Sequence, residues 1–140
     1  MQTILHILEK AGGYRRDLYV RVENPPYLPL VIEATPDPGP CGLRAVSVAH
    51  YGEQNGDLMR DPEMCFEVSR PIFSRLYLYP YYYRNDYMGV EQWSRFITGD
   101  HYAYHAELYP QHSRFAVLWD KNLYVQGFLA AYERQQSQRA

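Results

Sequence analysis

The chain has 140 residues, of which 46% are hydrophobic and 21% are charged, and this composition excludes the low-hydrophobicity, high-charge class of disordered chains. Its length predicts one folded domain over residues 1–140. The formal charge of −2 provides no positive field for phosphate groups, so nucleic acid is not favoured as a partner.

Cysteine usage and apolar runs indicate the compartment. The two cysteines, Cys41 and Cys65, are too few for a disulfide framework. The apolar runs are far shorter than the roughly 20 residues that cross a bilayer, and there is no signal segment. We therefore expect a reduced, cytoplasmic protein without a membrane segment.

Hydrophobic periodicity predicts one short helix followed by strands. Residues 3–11 place their apolar side chains on one helical stripe that ends at Gly12-Gly13. Alternation of apolar and polar residues then predicts strands separated by proline- and glycine-rich segments, with a strong turn signal at Asn55-Gly56. The predicted strands lie at residues 18–23, 30–35, 43–51, 63–68 and 75–83.

The second half of the chain completes the predicted fold. Pro80 restricts the last strand to a sheet edge or a bulge. Residues 111–136 have near-helical apolar spacing, whereas residues 89–98 and 100–108 fit more than one element. Because no helix separates the strands, we expect an α+β domain with an about five-stranded, mainly antiparallel sheet. The short N-terminal helix and one long C-terminal helix should pack on one face of that sheet.

Residues 50–67, HYGEQNGDLMRDPEMCFE, are unusually rich in acidic and amide side chains. If these groups converge, they can form an acid–base pair or an oxygen-rich cation site. Alternatively, Asn55-Gly56-Asp57 and Asp61-Pro62 form two turns, while Glu63, Cys65 and Glu67 form the wet face of a strand. The candidate site residues of this segment are His50, Glu53, Asn55, Asp57, Asp61 and Glu63.

Signatures of metal or covalent chemistry are weak. His101 and His105 have a four-residue spacing, but zinc needs two more ligands and no His-Glu-x-x-His element is present, so we expect no metal site. No phosphate loop or dinucleotide fingerprint occurs, so we expect no cofactor. The serines at 47, 69, 74 and 94 lack a nucleophile elbow, and we assign no catalytic residue.

The fifteen tyrosines are the main compositional oddity, and six of them lie within residues 76–89. Tyrosine combines a large apolar area with a polar tip, and it is enriched where a protein meets another protein. Successive strand residues point to opposite faces, so some of these rings should be exposed. They form either a recognition surface or the half-wet face of an edge strand, and the sequence leaves both interpretations open.

Two segments, YGEQNGDLMRDPEMCFEV and PYYYRNDYMGVEQW, resemble an uncharacterised domain family of small plasmid- and mobile-element-borne bacterial proteins. The family pattern combines an EQNGDLMRDPEM-type segment with a downstream Asn-Asp turn before a Tyr- or Gln-containing strand. The likeness covers most of the chain from residue 11 onward. It implies a mobile-element context in a bacterial host cell, and it transfers no site residues. Compared with that pattern, the chain is longer between Trp93 and Gln111.

Two functional hypotheses follow. The preferred one is a non-enzymatic binding protein of a mobile element that binds a protein partner, such as a CRISPR or restriction complex that it inhibits. Its candidate binding residues are Tyr79, Tyr81, Tyr82, Tyr83, Arg84, Asp86, Tyr87, His101, Tyr102, Tyr104 and His105. The alternative is a small hydrolase or ligand-binding enzyme that uses residues 50–67 together with Arg84. A homodimer through the edge strand that Pro80 interrupts is compatible with the first hypothesis.

Overall fold

A computed structural model describes residues 1–70 and 75–139, so Ser74 lies outside the described residues. These described residues form a six-stranded antiparallel sheet, a separate two-stranded sheet and three helices. The helices are α1 (Gln2–Lys10), α2 (Leu108–Val125) and α3 (Phe128–Arg139). The large sheet contains, in spatial order, β1 (Tyr19–Val22), β2 (Leu30–Ala34), β3 (Ala45–Gln54), β4 (Asp57–Ser69), β5 (Tyr77–Asn85) and β6 (Val90–Trp93). The hairpin contains β7 (Arg95–Thr98) and β8 (His101–Tyr104).

This architecture confirms the predicted α+β class, the antiparallel sheet and the N-terminal helix. The prediction of one long C-terminal helix over residues 111–136 is wrong, because α2 starts at Leu108 and a break separates it from α3. Gly127 lies in that break with a φ of 89°, a conformation that costs glycine little because it has no Cβ. The large sheet also has six strands where about five were expected, since the ambiguous residues 89–98 contain β6 as well as β7 of the separate hairpin.

Both prolines of the central strands lie at bulges. The predicted turn at Asp61-Pro62 is wrong, because these two residues continue β4 and lie together opposite His50 of β3. Pro80 lies in β5 next to a second register shift, and β5 is paired on both sides, with β4 and β6. The bulge expected at Pro80 is therefore confirmed and the edge position is wrong. Self-association cannot use this strand as a free edge.

The core lies between one face of the sheet and the three helices. Helix α1 buries Ile4, Ile7 and Leu8 against strand residues such as Ile32 and Phe66. His50 belongs to this same face, where its ring lies 5.7 Å from Trp119 and 5.3 Å from Phe128, measured between ring centroids. The helices thus cover one face of the sheet and leave the other, which we call the open face, to loops and the hairpin.

Burial of His50 generates a pH prediction. Burial lowers the pKa of its imidazole below the ordinary value of about 6.5, against the opposing effect of backbone hydrogen bonds at Pro29 and Leu28. The unfolded chain therefore binds more protons below pH 6.5, and the free energy of unfolding should fall as the pH falls toward 5. His50→Gln should reduce this slope by up to about 1.4 kcal/mol per pH unit.

Chemical denaturation between pH 5 and 8 measures the slope. His6→Gln changes an exposed histidine of α1 and is the matched control, which should retain the slope of the unsubstituted protein. An unchanged slope in His50→Gln would contradict the prediction.

Candidate functional site

A buried ion pair organises the open face of the sheet. Glu67 of β4 is completely buried, and its Oε1 lies 2.7 Å from Nη1 of Arg95 in β7. Arg95 also donates hydrogen bonds of 3.0 Å from Nε to the Pro80 carbonyl and from Nη2 to the Tyr79 carbonyl. The interpretation of Glu67 as part of a wet strand face is therefore wrong, because the loop before β3 and the hairpin cover it.

The loop of residues 36–42 closes over this ion pair. The second carboxylate oxygen of Glu67 accepts backbone N–H bonds from Cys41 at 2.9 Å and Leu43 at 3.1 Å. Gly39 approaches the same side chain so closely that a Cβ at this position would lie 2.2 Å from Glu67 Cγ. The glycine is thus required for contact between the loop and Glu67 and does more than form a turn.

Between this loop and β7 lies an open cavity of about 380 Å³, which we call the aromatic groove. Its lining residues are Pro38, Gly39, Pro40, Tyr81, Trp93, Arg95, Phe96 and Ile97. Trp93 and Ile97 remain 49% and 54% exposed, although both are large apolar side chains. Because Glu67 balances the positive charge of Arg95, the groove presents mainly aromatic and aliphatic surface around an ion-paired guanidinium group.

The hairpin extends this aromatic surface. Tyr102 and Tyr104 of β8 pair with Ile97 and Arg95 of β7, so they share one face of the hairpin, and both are exposed. His101 lies exposed at the hairpin tip, 3.2 Å from Asp100. These three predicted binding residues are therefore accessible beside the groove.

His105 has a structural position. Its Nδ1 accepts backbone N–H bonds from Glu107 at 3.3 Å and from Leu108 at 3.1 Å, which satisfies two donors at the start of α2. Within residues 1–70 and 75–139, no group of three or more His, Cys, Asp or Glu side chains is arranged to hold a metal ion.

A second polar network joins β3, β4, β5 and β6 on the open face. Ser47 donates a 2.5 Å hydrogen bond to Glu63, whose other oxygen lies 3.2 Å from Arg60 Nε. Arg84 Nε lies 2.6 Å from Asp86, and its Nη1 lies 3.5 Å from Glu91. Each charge in this network therefore has an oppositely charged partner, and the predicted binding residues Arg84 and Asp86 act here as strand-to-strand connections.

The thiol and the phenol beside this network, those of Cys65 and Tyr82, stay protonated. Burial raises the pKa of the Cys65 thiol, and the nearby Glu63 carboxylate adds to the effect. Burial likewise raises the pKa of the Tyr82 hydroxyl, which donates a hydrogen bond to Glu91. A protonated thiol is a poor nucleophile, so this arrangement does not favour covalent chemistry.

The remaining predicted tyrosines divide between the two faces. Tyr79 is exposed and stacks on Tyr77 with ring centroids 6.2 Å apart. Tyr83 instead faces the helices, where its ring contacts Phe115 at 5.2 Å. The hydroxyl of Tyr87, in the turn after β5, would lie 2.7 Å from a Cβ added at Gly52, so this ring packs on β3.

The alternative motif does not converge. His50 lies under the helices, whereas Glu63 lies on the open face. Asp61, which lies in the β4 bulge, accepts a 2.8 Å hydrogen bond from the side chain of Asn85 at the end of β5. The other three residues, Glu53, Asn55 and Asp57, are exposed at the tip of the β3–β4 hairpin.

Sequence reasoning missed most of the groove. Trp93, Arg95 and Ile97 lie in the segment whose structure was ambiguous, and the loop of residues 36–42 was interpreted only as a breaker. The available signal was the aromatic and β-branched content of Phe96, Ile97 and Thr98, which favours a strand.

A family model described as "Domain of unknown function (DUF6908)" matches residues 2–129. The chain belongs to this family. Membership in DUF6908 confirms the resemblance to an uncharacterised domain family, while a plasmid or mobile-element origin is not part of the match. Searches of curated proteins and of solved structures gave no match. In the described ranges, no helix has the length and apolar character needed to span a bilayer.

The ion pair predicts a large loss of stability in this DUF6908 protein when Glu67 is neutralised. Glu67→Gln leaves the buried Arg95 without its counter-charge, so we expect the free energy of unfolding to fall by roughly 3–5 kcal/mol. Urea denaturation measures the change. Glu53→Gln makes the same chemical change at an exposed position and should stay within about 0.5 kcal/mol of the unsubstituted protein. Equal stabilities for the two variants would refute the role of the ion pair.

Gly39→Ala tests the closure of the loop. Because the added methyl overlaps Glu67, the loop must move, and we expect a destabilisation of roughly 1–3 kcal/mol. Trp93 lines the groove on the other side, so its fluorescence should change as well. Asp37→Ala, at an exposed position of the same loop, should change neither quantity. If Gly39→Ala matches that control, the close approach is not required.

Proposed function

We propose that this protein is a non-enzymatic binding module that recognises a protein partner through the aromatic groove and the adjoining face of the hairpin. The observation that carries this proposal is the exposure of large apolar side chains around the groove, with Trp93, Ile97 and Tyr104 exposed by 49%, 54% and 62%. Tryptophan and tyrosine dominate the binding energy of protein interfaces when they become buried against a partner.

The chemistry of the groove favours an apolar occupant. Pro38, Pro40 and Phe96 form part of its lining, and the charge of Arg95 is matched by Glu67. A charged side chain in the groove would lose water without gaining a free counter-charge. The proposed partner therefore presents an uncharged aromatic or aliphatic side chain to the groove, while the hydroxyl groups of Tyr102 and Tyr104 bond polar groups around it.

The groove is also pre-formed, which favours binding. Hydrogen bonds from Cys41 and Leu43 to Glu67 hold one wall, and the bonds from Arg95 to the carbonyls of β5 hold the other. A partner then has to immobilise few side chains, and the entropy lost on binding is small.

An enzymatic role has less support from the geometry. A hydrolase that uses residues 50–67 needs His50 close to the acidic groups, and the sheet separates His50 from Glu63. The charged groups on the open face are instead paired with one another. We therefore propose binding without catalysis.

The family resemblance extends the proposal to a biological context. We propose that the module acts in the cytoplasm of a bacterial host as a product of a plasmid, phage or other mobile element. Its partner would then be a component of a host defence complex of the CRISPR or restriction type, which it inhibits. Support for this context comes from the resemblance alone, whereas support for a protein partner comes from the exposed surface.

A pull-down that compares the unsubstituted chain with surface variants tests the proposal. Tagged protein is incubated with bacterial host lysate, and each retained protein is identified and then titrated in purified form by calorimetry. We expect Ile97→Asp with Tyr104→Ser to weaken the partner's affinity at least about tenfold, since interface anchors of this kind contribute more than about 1.4 kcal/mol.

Tyr124→Ser supplies the matched control. Tyr124 is exposed by 66% on α2, close to the 62% of Tyr104, and it lies outside the groove. This variant should bind the partner as the unsubstituted protein does. The proposal fails if no protein is retained more strongly by the unsubstituted chain than by the double variant, or if Tyr124→Ser has the same effect.

A further inference from the structure

The two edges of the large sheet differ in how they are protected. At the β1 edge, the Gln135 side chain of α3 accepts a 2.7 Å hydrogen bond from the Glu23 N–H and donates a 3.0 Å bond to the Arg21 carbonyl. The amide thus occupies main-chain groups that another strand would need. At the opposite edge, β6 pairs with β5, and no further strand pairs with it within residues 1–70 and 75–139. An unprotected edge is a template for strand addition.

The register shows which groups of β6 are available. Ser94 donates its N–H to the Tyr81 carbonyl, and antiparallel bonds alternate along a strand pair. Given the pairing of Tyr82 with Trp93 and of Arg84 with Glu91, the main-chain groups of Glu91 and Trp93 point away from β5. Glu91 and Trp93 therefore each direct one N–H and one C=O group outward, and these two residues lie on either side of Gln92.

We infer that β6 is the site where a second copy of this chain adds to the sheet, in the antiparallel direction and about a two-fold axis at Gln92. In this arrangement Glu91 lies opposite the partner's Trp93, and Trp93 lies opposite the partner's Glu91. The spacing is self-complementary, so every outward main-chain group of one strand meets its counterpart on the other. The result is a continuous twelve-stranded sheet, by twice the six strands of one chain.

The side chains of β6 suit this pairing. On the open face, the half-exposed Trp93 rings of the two chains become diagonal neighbours, within reach of each other across the axis. The charge of Glu91 is already countered by Arg84 at 3.5 Å and by the Tyr82 hydroxyl, which limits repulsion between the two copies. On the other face, Gln92 Oε1 lies 3.0 Å from Nε2 of His112 in α2, so this side chain is held within its own chain and the pairing at the axis rests on main-chain groups. This inference rests on the free edge of β6 and not on the proposed protein partner, although Trp93 belongs to both the dimer contact and the aromatic groove.

A proline at position 91 tests strand addition. Glu91→Pro removes an N–H that points outward and leaves the β5 bonds in place, because proline is tolerated on an edge strand at such a position. Sedimentation velocity over a range of concentrations should show a dimer for the unsubstituted chain and for Glu91→Ala, and a monomer for Glu91→Pro. A chain that stays monomeric at all concentrations, or a dimer that survives the proline, overturns the inference.

Cross-linking tests the register and does not depend on the proline variant folding. In a Cys41→Ser background, Gln92→Cys places two thiols at the axis, where Cα atoms about 4.5 Å apart can form a disulfide. Val90→Cys is the matched control, since its Cα lies about 14 Å from its own copy in this register. Mild oxidation should cross-link position 92 far more than position 90. Equal or reversed yields at the two positions overturn the inference. That result would also be expected if β6 paired with an unrelated extended segment instead of a second copy.

Discussion

The arrangement of the open face depends on the ion pair between Glu67 and Arg95. A fully buried carboxylate is unfavourable unless its lone pairs are matched, and here Arg95 and two backbone N–H groups match them. Arg95 is matched in turn by two carbonyls of β5. Each partner comes from a different segment, so satisfying one side chain fixes the loop, the central strands and the hairpin together. The aromatic groove exists because these segments meet above Glu67.

The period of the strands explains why the acidic motif is divided. His50 lies on the helical face of β3, while Ser47, also on β3, reaches Glu63 on the open face. The bulge at Asp61-Pro62 adds one residue to β4, so that Arg60 and Glu63 lie on the same face and form an ion pair. Polar residues that are close in sequence therefore lie in two separate environments, the core under the helices and the polar network of the open face.

Local patterns predicted the elements whose neighbours in sequence are also their neighbours in space. The helix at residues 3–11 and the first three strands were recognisable from their hydrophobic periodicity and from the glycine and proline residues that bound them. Asn55, with a φ of 53°, and Gly56 form the expected turn. The burial of Glu67 was not predictable in this way, because it depends on Arg95, which lies 28 positions later in the chain. The groove was missed for the same reason, since its two walls come from distant segments. Gly127 lies inside the predicted C-terminal helix, but the break that it allows between α2 and α3 was not predicted.

The open face separates two kinds of side chain that the sequence places side by side. Tyr82, Arg84 and Asp86 are joined to their neighbours by hydrogen bonds and ion pairs, so they stabilise the strands. Trp93, Ile97 and Tyr104 keep exposed apolar area and contribute little to the core. We therefore expect a substitution in the first group to lower the stability, and one in the second group to weaken the proposed recognition with little effect on the fold. The proposed recognition surface thus consists of aromatic side chains held in position by a polar framework whose charges are already paired.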